Sequence, residues 1–165
     1  MRELKILAVV IVLTLITYWG VEPFAHSQMH PHVAPADFKF SDVQEDVKDI
    51  KALKGDAANG ETLVTSNCTA CHSIQSKGFP QLMDNASAGA AYGVTPPDLG
   101  SAGKLYSREY LIAFIKNPAL ASKVSHKFVD GRAHPMPGYD WMQPQEIADM
   151  VAYLESIAPK EMSNK

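Results

Sequence analysis

Apolar residues recur with the helical period in three stretches of this chain, and nowhere with the period of two that a half-buried strand needs. Positions 144–157, PQEIADMVAYLESI, place Ile147, Met150, Val151 and Leu154 three and four residues apart. That spacing makes one face of a helix, with Pro144 suited to its first turn and Glu146 inside that turn. Positions 107–117, SREYLIAFIKN, predict a second amphipathic helix. Ser107 serves as its cap, Tyr110, Leu111, Phe114 and Ile115 form its apolar face, and Pro118 ends it. Positions 57–67, AANGETLVTSN, predict a third, with Ala58, Leu63 and Val64 on one side. Gly60 lowers stability inside such a helix, and a close approach by another helix accounts for it. The intervening segments are rich in Gly, Pro, Asn and Ser, so they read as loops that wrap something. The prediction is an all-α domain over residues 56–158, followed by a short tail at 159–165.

The N-terminal pattern is different. Residues 6–21, ILAVVIVLTLITYWGV, run for sixteen positions without a charge. That is long for the apolar core of a signal peptide and slightly short for a membrane span of about twenty residues. Arg2 and Lys5 at one end and Tyr18 and Trp19 at the other suit a cytoplasmic start and an interfacial belt. The expectation is a retained transmembrane anchor over 1–21, with cleavage near Ala25-His26-Ser27 as the alternative. Residues 22–55 then read as a tether. Pro23, Pro31 and Pro35 break any early helix, and 41–53 has the pattern of a short charged one. His26, His30 and His32 have no supporting carboxylate pattern and read as solvated rather than as a metal site.

Composition sharpens the picture at one point. The chain of 165 residues has two cysteines, and they stand three apart with a histidine behind: Cys68-Thr69-Ala70-Cys71-His72. A structural zinc site needs four ligands, and there is no second pair. A dithiol redox site belongs at a strand-to-helix junction, which the pattern lacks. The spacing C-x-x-C-H fits covalent attachment of one haem c: two thiols add to the two vinyl groups of one haem edge, and the histidine reaches the iron. Such attachment happens outside the bacterial cytoplasmic membrane, in keeping with an exported domain.

The iron has a second axial position, for which His, Met, Cys or Tyr can serve. Both cysteines are committed. Met136, in His134-Pro135-Met136-Pro137, is the candidate, because two prolines stiffen the loop that presents its sulfur. Met142 is placed to staple the start of the last helix, Met150 lies on that helix's apolar face, and Met83 sits in a polar loop. A second histidine, His126 or His134, or an open position, remains the alternative.

With these motifs in hand, residues 56–158 resemble the class I cytochrome c family. The order is Gly60 in the helix before C-T-A-C-H, then Pro96-Pro97-Asp98-Leu99-Gly100, Y-L-I-A-F-I-K-N-P, H-P-M-P and E-I-A-D-M-V-A-Y-L. The resemblance implies few helices wrapped around one covalent haem. It implies that the outer nitrogen of His72 bonds the carbonyl of Pro97, that Leu99 packs on the haem ring, and that Gly60 meets Tyr153 where first and last helices cross. The chain departs from the family in a longer loop over 75–95 and in 119–133, which precedes the Met loop. The anchor and E-P-F-A-H-S-Q-M-H-P-H are similar to tethered subunits of quinol-oxidising bc complexes.

Charge adds direction. Residues 68–136 carry seven basic and four acidic side chains within a chain of net charge −3. Lys77, Lys104, Arg108, Lys116, Lys123, Lys127 and Arg132 are candidates for a basic ring that steers an acidic partner, or for solvated charges balancing haem propionates. Nucleic-acid binding has no support, and no nucleophile or acid–base constellation marks an enzyme. The expectation is a single-haem electron carrier, His72- and Met136-ligated, in a bacterial respiratory chain. It would be held by one span in the inner membrane and face the periplasm, with redox proteins as partners. A subunit of a quinol-oxidising bc complex or terminal oxidase is the alternative, and a gas-binding haem sensor the competing class.

Overall fold

Residues 2–21, 39–124 and 134–159 are described by the structure, a computed structural model. The chain divides into two units, Met1–Ala34 and Pro35–Lys165. In the first, α1 runs over Arg2–Ile16 and gives way to one π-type turn at Thr17–Val21. The change of pitch coincides with a side-chain bond to the backbone. The Thr17 hydroxyl donates back to the carbonyls of Leu13 and Thr14, both at 2.9 Å, and hydroxyls that bond back this way bend helices. The 15 residues of α1 reach about 22 Å at 1.5 Å per residue, short of the roughly 30 Å of a bilayer core. Among the described residues no helix is long and apolar enough to cross a membrane, so the expected transmembrane helix is not found.

The second unit is helical, with one isolated bridge between Ile74 and Phe79 in place of any strand among the described residues. Its helices are α2 (Val47–Ala52), α3 (Ala57–Cys68), α4 (Asn85–Tyr92), α5 (Ala102–Leu105), α6 (Arg108–Lys116), α7 (Pro118–Val124) and α8 (Pro144–Ile157). The starts of the three predicted helices are chemically marked. Asp56 accepts from the amides of Ala58 and Asn59 at the head of α3. The Ser107 hydroxyl accepts from the Tyr110 amide, and Gln143 and Glu146 form a reciprocal capping box at α8.

α3 and α8 cross in close contact, and this crossing organises the domain. Gly60 permits it: a Cβ there would run into the backbone carbonyl of Asp149 and the Cβ of Tyr153. Ile147, Met150, Val151 and Leu154 are all buried, as their spacing predicts. α6 departs from a one-faced pattern. Ile112 and Ala113 are as buried as Tyr110 and Leu111, because α2, α7 and α8 all pack on it.

Three parts of the fold differ from expectation. Phe40, Val47 and Ile50 are buried, so from Lys39 onward the stretch read as tether is packed on the domain. The segment read as a long loop contains α4, capped by Asp84, which accepts from the Ser87 amide at 2.9 Å. Pro118 does end α6, but it also opens α7, where its missing N–H costs nothing. His26, His30, His32, His126, Lys127 and Arg132 lie outside the described residues.

A buried carboxylate locks the crossing. Asp149, 3 % exposed, accepts from the Asp56 amide at 2.7 Å, the Asn59 side chain at 2.7 Å and the Gln145 side chain at 2.8 Å. Burial alone would raise its pKa; the bonds from Asn59, Asp56 and Gln145 outweigh that and lower it. A lowered native pKa gives stability that is complete above the usual carboxylate range and is lost as pH falls through the native value. Asp149→Ala is expected to cost roughly 2–3 kcal/mol at neutral pH, the scale of hydrogen bonds to a charged group. It should also flatten the acid limb of stability against pH. Denaturant unfolding at pH 7 and between pH 4 and 2 measures both.

Candidate haem site

The C-x-x-C-H segment sits where α3 ends. The amides of Cys71 and His72 both donate to the Cys68 carbonyl, at 3.1 and 2.8 Å, so the chain turns tightly there. That turn uses one of the last carbonyls a helix leaves without an internal partner. Cys68, Cys71 and His72 are half-buried, and the two cysteines form no disulfide. Burial, with the neighbouring Cys71 adding, pushes the Cys68 thiol up to about 12.

His72 is fixed by a carbonyl. Its Nδ1 lies 2.7 Å from the oxygen of Pro97. A carbonyl only accepts, so Nδ1 carries the proton and Nε2 presents its lone pair. Burial lowers the His72 pKa, against the opposing pull of the Pro97 bond and the Asp98 charge. A neutral imidazole with Nε2 open is the form that binds iron. Two cysteines three residues apart and one oriented imidazole directly behind them thus fit a covalently attached haem.

The Pro97 carbonyl is itself held. Asp98 Oδ2 accepts from the Ser73 hydroxyl at 2.7 Å and the Gln75 amide at 2.9 Å. Its other oxygen accepts from the Gly100 amide at 2.9 Å, and the Leu99 amide donates to the Ser73 carbonyl at 2.9 Å. Residues 97–99 are therefore clasped to residues 73–75, immediately after His72. Pro97 is exposed and Leu99 half-buried. The sequence reading gave Asp98 no part in this. The local signal was present, since Asp two residues before Gly marks an Asx turn, but the bonds across 23 and 25 residues have no sequence signature.

Met136 is half-buried in a loop fastened on two sides. At its start, the Met136 amide donates to His134 Nδ1 at 3.1 Å, and the His134 ring stands edge-on to Phe114 at 5.4 Å. Phe114 continues a column of stacked rings through Tyr110 on α6 to Tyr106 just before it. At its end, the Tyr139 amide donates to the Ile115 carbonyl and the Tyr139 hydroxyl to the Asn67 carbonyl, both at 3.0 Å. Gly138 lies against Lys116, where a Cβ would come within 2.6 Å of the carbonyl. Tyr139 carries no signal that the sequence reading used. Met142 and Met150 are buried, in keeping with packing roles.

The expected basic ring loses two members. Arg108 pairs with Glu155 at 2.6 Å and also donates to the Leu53 carbonyl; Lys116 is buried and pairs with Asp46. Both charges are spent within the domain on the attachment of α6 to its neighbours. Lys77 and Lys123 remain exposed.

Comparison with known proteins gives a consistent family. A model of the cytochrome c family matches residues 57–158. The chain is 29% identical over 125 residues to a "Cytochrome c-553-like" protein of Synechocystis sp., covering 76% of this chain and 91% of that protein. It is 27% identical over 113 residues to a "Cytochrome c" of Tetrahymena pyriformis, covering 66% of this chain and 95% of that one. No solved structure matches.

Proposed function

The chain belongs to the cytochrome c family, whose members carry covalently attached haem c and transfer electrons, and from that premise we propose a membrane-attached, single-haem carrier ligated by His72 and Met136. When bound, the haem supplies an iron that gains or loses one electron without leaving the protein. The chain does the rest. Cys68 and Cys71 would hold the group covalently. His72, its outer nitrogen given to Pro97, turns Nε2 to the iron, and this 2.7 Å bond is the observation that carries the reading. The sulfur of Met136 is offered by a loop that Pro135 and Pro137 stiffen and that Tyr139 fastens beside the attachment turn. A His/Met pair raises the reduction potential, which suits a carrier working between respiratory proteins, such as a quinol-oxidising bc complex and a terminal oxidase.

The apolar run at 6–21 supports attachment to the bacterial inner membrane with the haem domain in the periplasm. Large apolar side chains stand exposed along it, from Ile6 at 50% to Trp19 at 76%, and a helix apolar on all sides needs an apolar surrounding.

Met136→Ala is expected to abolish the sulfur-to-iron absorption band of the oxidised protein, lower its potential and let carbon monoxide bind the reduced iron. Met142→Ala should keep the spectrum and cost about 2–5 kcal/mol, as a core truncation does. The opposite pattern would make Met142 the ligand. An unchanged spectrum in both would pass the role to a histidine. For the attachment, the haem protein should remain with salt-washed membranes and yield a peptide from residues 6–21. A soluble form beginning near Gln28 would show a cleaved leader instead.

A further inference from the structure

The Met136 loop and the haem-attachment segment are far apart in sequence, and the Tyr139 side chain bridges them. Tyr139 is 8% exposed, and its hydroxyl donates to the carbonyl of Asn67, the residue before Cys68. That carbonyl is one of the last four of α3, which a helix cannot satisfy internally. Further fastenings reach α6 or stay within the loop: Tyr139 amide to Ile115, Gly138 against Lys116, His134 against Phe114, and the Met142 amide to the Tyr139 carbonyl at 3.1 Å. They fix the loop to the domain. Tyr139 ties it to the attachment segment as well.

We propose that Tyr139 is a positioning residue for the sixth ligand: its hydroxyl, bound to Asn67, sets how firmly the Met136 sulfur is held on the iron. This rests on Met136 being the ligand. A loop tied only to α6 is free to lean away from the haem face, and a competing ligand then enters more easily. Tied also to the carbonyl beside Cys68, it moves with the segment that carries the haem. The two residues between Met136 and Tyr139, Pro137 and Gly138, give a short link. Pro137 has a fixed φ, and Gly138 is pressed against the end of α6.

The test uses the full haem protein with Tyr139→Phe, which removes the hydroxyl and keeps the ring. Tyr153→Phe is the control, since Tyr153 is equally buried and its hydroxyl has no hydrogen-bond partner among the described residues. Imidazole is titrated into the oxidised protein, and loss of the sulfur-to-iron band reports displacement of Met136. Loss of one hydrogen bond predicts that Tyr139→Phe binds imidazole roughly five-fold more tightly than the unmodified protein. Its band should also disappear at a lower temperature than global unfolding, measured by far-ultraviolet circular dichroism. Tyr153→Phe should match the unmodified protein in imidazole affinity. Unchanged affinity and band in Tyr139→Phe would overturn the proposal, as would an equal gain in Tyr153→Phe. A band absent from the unmodified protein would remove the Met136 reading, and this inference with it.

Discussion

The hydrogen bond from His72 to the Pro97 carbonyl is the constraint on which the rest of the site depends. A histidine adjacent to two attachment cysteines would lie close to a haem iron whatever its orientation. Only a proton fixed on Nδ1 guarantees that Nε2 is the nitrogen presented. The acceptor must therefore be immobile, and a carbonyl in a Pro-rich loop is not immobile by itself. Asp98 supplies the rigidity. One carboxylate takes three donors, two of them from the segment directly behind His72, and so ties the acceptor to the same few residues as the donor. The outcome is a ring of contacts, His72 to Pro97 to Asp98 to Ser73, that closes on itself.

That ring is anchored because α3 is anchored. The helix ends at Cys68, and its other end is held by Asp149 through Asp56 and Asn59. Gly60 lets α8 pass close enough for the carboxylate to reach them. α6 then places the opposite wall, since the loop bearing Met136 hangs from its C-terminal end at Ile115 and Lys116. The ion pair of the buried Lys116 with the exposed Asp46 holds that end against the segment before α2. The charge is consumed in architecture instead of facing a partner.

Much of this was legible in the sequence, for identifiable reasons. The helices α3, α6 and α8 announce themselves through apolar spacing and through caps, both of which are local. The attachment motif is local too. The resemblance to a family supplied Pro97, and the hydrogen bond is where it was expected. What stayed hidden was of two kinds. Short helices with weak apolar faces, α4 and α7, look like loops when Ala, Gly, Ser and Pro dominate them. Contacts between distant residues, such as Asp98 with Ser73, Tyr139 with Asn67 and Phe40 with Tyr110, leave no periodic trace. The charged stretch after Pro35 misled for a related reason: three buried apolar residues, Phe40, Val47 and Ile50, are enough to dock it, and composition does not weigh three residues.

The most direct test of this account is the protonation of one ring. Nuclear magnetic resonance of the reduced haem protein, with nitrogen-15-labelled histidine, should find a proton on Nδ1 of His72 that exchanges slowly with water, and none on Nε2. A proton on Nε2, or an Nδ1 proton exchanging as freely as that of a solvated histidine, would contradict the account.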